Sequence, residues 1–237
     1  MLKSNRIIAR TAIADLDLTS RVQLEAVVTD ARSQAIDFSQ FAQIDTIWTS
    51  FAAGRDWRRC VADFFGALEG KTLLDVGCGY SMTPVIFALA GARVHAIDVA
   101  PKTIATVQQF AGYMGVADRM LAHVGPAERM PFESDTFDLV FGGAALHHLQ
   151  LEPAASEIAR VLKPGGKGAF QGLCPDRYGR QDTAPAAQFF AAPRFVQVRR
   201  ILVRPGALHP ALCTVFRDLC HQVELWAGRQ PERTGFS

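Results

Sequence analysis

The stretch Leu73-Leu74-Asp75-Val76-Gly77-Cys78-Gly79 is an apolar run that breaks on two glycines separated by a single residue. Thr72 to Val76 is short and nearly continuous in apolar side chains, the pattern of a strand covered on both faces. Neither glycine carries a Cβ and each can take φ > 0, so the turn lets the backbone pass close to a ligand. Beyond it, Thr83 is placed to cap a helix that has Pro84 at its first position and Gly91 as its stop. Arg93 to Ile97 repeats the strand pattern, and Asp98 closes it 19 residues after Gly79.

Outward from this unit the alternation continues. Pro101 to Met114 has helical spacing, and Met120 to Val124 and Phe137 to Phe141 read as the third and fourth strands. Pro153 to Leu162 reads as a helix stopped by Lys163-Pro164-Gly165-Gly166, and Gly168 to Leu173 as the fifth strand. Strands separated by helices imply right-handed crossovers and a parallel sheet covered on both faces. Upstream, Trp57, Cys60, Val61, Phe64, Phe65 and Leu68 recur at helical spacing, with Arg58, Arg59, Asp63 and Glu69 on the other side. Thr19 to Ile36 and Phe41 to Phe51 read as two more helices. Downstream, Phe195 to Val203 and Gln222 to Trp226 read as strands around a short helix, Pro210 to Leu219, and can form an antiparallel edge. The fold class is α/β: a doubly wound, Rossmann-like, mostly parallel sheet with N-terminal helices and an antiparallel C-terminal edge.

Composition sets the outer bounds. A chain of 237 residues with 49% hydrophobic and 20% charged residues can bury a full apolar core without disulfides or metal. The formal charge of +2 implies no polyanionic partner, although residues 171 to 237 hold nine arginines against five acids. Cys60, Cys78, Cys174, Cys213 and Cys220 are odd in number and lack C-x-x-C spacing, which points to a reducing, cytoplasmic setting. Met1 to Leu18 has no long apolar core and does not read as a signal peptide, and the longest apolar run, Val85 to Ala92, is too short to span a bilayer. No membrane contact is expected.

A glycine turn after the first strand and a carboxylate after the second make a nucleoside site, because the acid can accept hydrogen bonds from both ribose hydroxyls. A dinucleotide turn needs G-x-G-x-x-G, whereas this one reads Gly77-Cys78-Gly79-Tyr80-Ser81-Met82. Gly70-Lys71-Thr72 looks like the end of a P-loop, but position 65 is Phe65 and the triplet precedes the strand. Leu73 to Gly79 resembles motif I of the class I S-adenosylmethionine (SAM) dependent methyltransferases, and Asp98 resembles their ribose-binding acid. Pro126-Ala127-Glu128-Arg129-Met130-Pro131-Phe132, followed by Phe137-Asp138-Leu139-Val140, is similar to the adenine loop and fourth strand of the branch that includes the ubiquinone and menaquinone C-methylases. Leu146-His147-His148-Leu149 and Glu157 to Gly166 continue the likeness, which covers roughly residues 60 to 175.

The resemblance implies SAM as cofactor and a role for each matching position. Asp75, Gly77 and Gly79 would line the methionine moiety, with Cys78 between them a further cofactor-binding position; Asp98 would hold the ribose, and Val99 would pack on the adenine. Ala127 and Glu128 would lie beside the adenine edge, with Phe141 and Gly142 near the amino-acid end. Two positions depart from the pattern: Ser81 stands at the third small position of the turn, and Pro126 stands where this branch often has Asp. Residues 60–175 would form the SAM-binding core, 1–59 an N-terminal helical cap or lid, and 176–237 the sheet edge and acceptor-side elements, all in one compact unit.

Methyl transfer from a sulfonium is an in-line displacement, so the protein chiefly aligns the reacting atoms and excludes water. A base is needed when the acceptor must lose a proton, and His147 and His148 follow the fourth strand where one of them can serve. Packing of the loop is the alternative role for the pair. His209, Cys213, Cys220 and His221 match no common zinc spacing, so no metal is expected. Trp48 and Phe51, preceding Gly54, are lid candidates; Phe64 and Phe65 read as core. No basic groove with interleaved aromatics is present, which argues against a nucleic-acid acceptor. Small-molecule acceptors, methylated at oxygen, carbon or nitrogen, remain. A non-catalytic SAM or nucleoside-binding protein acting through a partner is the rival reading, and no oligomeric state is indicated. Arg194, Arg199, Arg200 and Arg204 would favour an anionic acceptor, although strand alternation splits Arg199 from Arg200 and Arg204.

Overall fold

Leu73 turns to one face of its strand and Leu74 and Val76 to the other, and all three are fully buried. A strand of this kind has to sit in the middle of a sheet with helices on both sides. The computed structural model describes residues 16–32, 57–173, 195–203 and 221–228. Helices α1 (Leu18–Arg32) and α2 (Trp57–Phe65) precede β1 (Thr72–Val76), α3 (Thr83–Leu89), β2 (Arg93–Asp98), α4 (Pro101–Tyr113) and β3 (Met120–Val124). Then come β4 (Phe137–Gly143), α5 (Leu151–Val161), β5 (Leu162–Leu173), β6 (Phe195–Val203) and β7 (His221–Gly228). Single 3-10 turns at Ala117–Arg119 and Leu146–His148 complete the described elements.

The strand order is β3-β2-β1-β4-β5-β7-β6. The first five strands are parallel, while β7 runs antiparallel to β5 and β6 antiparallel to β7. This is the doubly wound sheet with an antiparallel C-terminal edge that the sequence implies. The order reverses between β1 and β4, which opens a crevice above their carboxyl ends.

Two apolar layers cover the sheet. Leu73, Val94 and Phe141 join Phe87, Ile104, Val107 and Phe110 on the side of α2, α3 and α4. Leu74, Val140 and Phe170 join Ala154, Ile158 and Val161 on the side of α5. Full burial of each such side chain contributes about 1.5–3 kcal/mol, so the core lies under the crevice and fixes its floor.

Several boundaries differ from the sequence expectation. Helix α2 stops at Phe65 because Gly66 takes φ 74°, which leaves Leu68 buried but outside the helix. Thr83 does not cap α3: the hydroxyl of Ser81 accepts the Thr83 N–H at 3.0 Å, and Met82 occupies the cap position. Helix α5 begins at Leu151, two residues before Pro153, since proline is tolerated in a first turn that has no intrahelical N–H partner to lose. Strand β5 begins at Leu162, which pairs with Phe137 before the register shifts to Leu139 opposite Lys167. No helix among the described residues is long and apolar enough to cross a membrane. Trp48, Phe51, Arg194, Arg204, His209, Cys174, Cys213, Cys220 and the helices expected at 41–51 and 210–219 lie outside the described residues.

Candidate functional site

Above the switch point lies a cavity of about 540 Å³. The turn after β1 gives it Gly77, Cys78 and Gly79, the end of β2 gives Ile97, Asp98 and Val99, and the loop after β3 gives Gly125, Ala127 and Glu128. From the segment after β4 come Gly143, Ala144, Ala145 and His148, and from α1 come Arg21, Val22, Glu25 and Thr29. The α1 residues fall one, four and eight positions after Arg21, which is one face of a helix laid across the mouth.

The turn is held by the next strand. The carbonyl of Ile97 accepts the N–H groups of Gly77 at 2.9 Å and Cys78 at 3.2 Å. Gly77 has φ 62°, and a Cβ there would sit 2.8 Å from the Cβ of Ala145, so only glycine lets the β1 and β4 segments close on each other. Asp98 accepts the Gly79 N–H at 2.9 Å through one oxygen and the Ala100 N–H at 3.0 Å through the other. A carboxylate has about four acceptor positions, so Asp98 keeps capacity for two more donors. Ribose hydroxyls would supply them.

The electrostatics of the site are unbalanced. Asp75 is 1% exposed, and neither of its oxygens has a hydrogen-bond partner among the described residues. Burial, with the nearby charge of Asp98 added, pushes its carboxyl well above the usual range. Burial also raises Asp98, against the lowering effect of its two N–H donors and of His148. The Cys78 thiol is raised by burial and by Asp75 and Asp98, so it is an inert wall rather than a nucleophile. Two desolvated carboxylates, neither ion-paired with a Lys or Arg among the described residues, suit a ligand that brings positive charge. SAM carries a sulfonium and an ammonium, and its ribose is a double donor; the residues present fit it.

Of the residues singled out in the sequence, Gly77, Cys78, Gly79, Asp98, Val99, Ala127, Glu128 and His148 all reach the cavity wall. Asp75 lies beneath the wall. Phe141 and Gly142 do not reach it: Phe141 packs edge-on against Phe87 at 5.3 Å, and a Cβ on Gly142 would meet the Phe170 ring at 2.9 Å. Gly143 and Ala144, one and two residues further along, form that wall instead. His147 shares the 3-10 turn with His148, and its side chain lies outside the described residues. Ser81 bonds Thr83 and opens α3, which gives this departure from the family pattern a structural role.

The N-terminal helix contributes residues that the sequence did not single out. Arg21 is 6% exposed; it is ion-paired with Glu128 and donates to the His148 carbonyl at 2.5 Å. The same oxygen of Glu128 accepts the Gln150 N–H at 2.7 Å, so the residue expected at the adenine edge also ties α1 to the loops. Glu25 lies 3.2 Å from Nδ1 of His148. At the far end of α1, Asp30 accepts the N–H groups of Lys102 at 3.0 Å and Thr103 at 3.2 Å, at the start of α4. The available signal was Asp17, whose carboxylate caps Ser20 and starts the helix, but no local pattern tells which face of α1 meets the cavity.

Comparison with known proteins agrees with this geometry. Residues 74–170 match a family model described as a methyltransferase domain. The chain is 31% identical over 153 residues to the sterol 24-C-methyltransferase of Gibberella zeae, covering 63% of this chain and 40% of that protein. It is 28% identical to the demethylmenaquinone methyltransferase of Streptomyces avermitilis, covering 62% of each. It thus spans less than two thirds of the length of these relatives. Among solved structures, the [4+2]-cyclase SpnF superposes with a TM-score of 0.62 at 17% identity, over 81% of this chain and 95% of that one. The geranyl diphosphate C-methyltransferase of Streptomyces coelicolor A3(2) superposes with a TM-score of 0.57 at 20% identity, over 73% and 78%. Residues 74–170 thus match a methyltransferase domain, set in the Rossmann-like fold that the class I SAM-dependent methyltransferases share.

Proposed function

We propose that this chain transfers a methyl group from SAM to an oxygen, carbon or nitrogen atom of a small-molecule acceptor. The observation that carries the reading is the pair of buried carboxylates, Asp75 and Asp98, beside a glycine turn, neither of them in an ion pair with a Lys or Arg among the described residues. Asp75, Gly77, Cys78 and Gly79 serve the methionine end, Asp98 the ribose, and Val99, Ala127 and Glu128 the adenine. Gly143 and Ala144 take the place assigned by resemblance to Phe141 and Gly142. SAM supplies the electrophilic methyl when bound, and the protein aligns it and keeps water out. Sterol, demethylmenaquinone and geranyl diphosphate methyltransferases among the similar proteins support a small organic acceptor. The region 1–59, of which α1 lies over the cavity, is the cap; 60–175 is the SAM core; 176–237 supplies the sheet edge and the acceptor side. The cysteine pattern supports a cytoplasmic setting.

Calorimetry with SAM and with S-adenosylhomocysteine tests the reading: both bind, and the absence of binding at ligand concentrations of about 1 mM, the weak end of useful affinity, would sink it. The likeness to a [4+2]-cyclase favours a second reading, in which the fold binds the nucleoside and does other chemistry. Transfer of label from methyl-labelled SAM to an extracted product separates the two.

A further inference from the structure

We propose that Glu25 is a positioning residue that sets His148 as the proton acceptor for a phenol or enol hydroxyl, an assignment that rests on the methyltransferase reading above. Glu25 Oε1 and His148 Nδ1 are 3.2 Å apart, and both residues line the cavity that holds Gly77, Gly79 and Asp98. The two come from opposite sides of the site, Glu25 from α1 and His148 from the turn after β4. The turn is pinned: the His148 N–H donates to Ala145 O at 2.8 Å, and the His148 carbonyl accepts from Arg21. Their side chains are 20% and 36% exposed, sheltered by α1 but open to a ligand in the cavity.

An ionised carboxylate only accepts hydrogen bonds, so the shared hydrogen sits on Nδ1 and the neutral ring keeps its lone pair on Nε2. This is the arrangement in which an acid behind an imidazole fixes its tautomer and balances the charge it gains. Among the described residues Asp98 and Arg21 also face His148, one of each sign. In the step, the acceptor O–H proton passes to Nε2. The electron pair released on that oxygen, or on its conjugated carbon, forms the bond to the methyl carbon, and the broken C–S pair stays on sulfur. A phenol, at a pKa of about 10, is acidic enough for its proton to move to a ring nitrogen as the new bond forms. Aliphatic alcohols are far weaker acids.

The test uses the full chain, methyl-labelled SAM, and phenols ranging from 4-methoxyphenol to 4-nitrophenol at about pH 7.5, where the first is un-ionised and the last is mostly ionised. Glu25→Ala and Glu25→Gln should lower kcat/KM for 4-methoxyphenol roughly tenfold to a hundredfold, while 4-nitrophenol, which reacts mainly as its phenolate, changes by less than about threefold. Equal losses on both phenols, or no loss on either, would overturn the proposal, because a merely structural Glu25 acts on all acceptors alike. Nitrogen-15 NMR of His148 should report the Nδ1–H tautomer in the unmodified chain and its loss in Glu25→Ala; an Nε2–H ring in the unmodified chain also overturns it. If no phenol is methylated while S-adenosylhomocysteine binds, the acceptor class is wrong. If S-adenosylhomocysteine does not bind, the methyltransferase reading itself falls.

Discussion

Asp75 sits where folding and binding pull in opposite directions. An unpaired carboxylate at 1% exposure destabilises the ligand-free protein, and a cationic ligand relieves it. Its folded pKa is raised above the unfolded value, so the protein is most stable where Asp75 is protonated in both states. That stability is lost as pH rises from the ordinary carboxylate range toward the raised pKa. Asp75→Asn does not titrate. It should therefore melt higher than the unmodified chain at neutral pH, by about 1–3 kcal/mol in stability, with the gain shrinking as pH falls toward the carboxylate range. Thermal melts across pH read this directly, and a gain independent of pH would contradict it. The same substitution should weaken SAM, whose binding to the unmodified chain should tighten with rising pH as Asp75 and Asp98 lose protons. Asp98 was legible because it ends β2, 19 residues after the glycine turn, and Asp75 because Leu73 to Gly79 resembles motif I of the class I methyltransferases. The missing partner of Asp75 was not, since only the packed structure shows what surrounds it.

At the scale of elements, the loop after β3 owes its shape to α5. Arg160 donates to the Phe132 carbonyl at 2.6 Å and the Met130 carbonyl at 3.2 Å, while Glu157 accepts the Met130 N–H at 2.7 Å. These bonds hold Gly125, Ala127 and Glu128 against the cavity without touching it themselves. Hydrogen bonds to charged groups contribute about 1.5–3 kcal/mol each when well made. Arg160→Ala should thus weaken S-adenosylhomocysteine by roughly three- to thirtyfold, assuming part of that energy is transmitted to the loop. Hydrogen exchange at the Met130 amide should rise in the same variant; a normal affinity with an unprotected Met130 would show that loop order does not matter for binding. The strands themselves were readable because each is a short apolar run between glycines, prolines or an acid. Their ends were less so: Lys163-Pro164-Gly165-Gly166 looks like a stop, yet Leu162 pairs with Phe137 before the chain bulges and β5 resumes at Lys167.

Across the whole molecule, α1 is fastened over the cavity at both ends, by Arg21 to Glu128 and His148 and by Asp30 to the start of α4. Breaking a buried ion pair from one side leaves an uncompensated charge and costs about 3–5 kcal/mol. Arg21→Ala should release α1 locally, with loss of hydrogen-exchange protection along residues 18–32 and little change in β1 and β4. Adding Glu128→Ala should recover part of the loss, a coupling of about 1–3 kcal/mol; simple additivity would show that the two side chains act independently. The sequence by itself determined the order of strands and helices, the glycine turn and the acid at the end of β2, because these are set by local periodicity and by residues close together along the chain, and its motifs carried the resemblance to the class I methyltransferases. Only the tertiary structure decided the strand order, the burial of Phe141 and Gly142 behind Gly143 and Ala144, and the placing of Arg21 and Glu25 in the site. Those depend on which face of α1 meets the crevice and how far β4 runs before it turns. Contacts such as Glu25 with His148, 123 residues apart, leave no periodic trace in a single sequence.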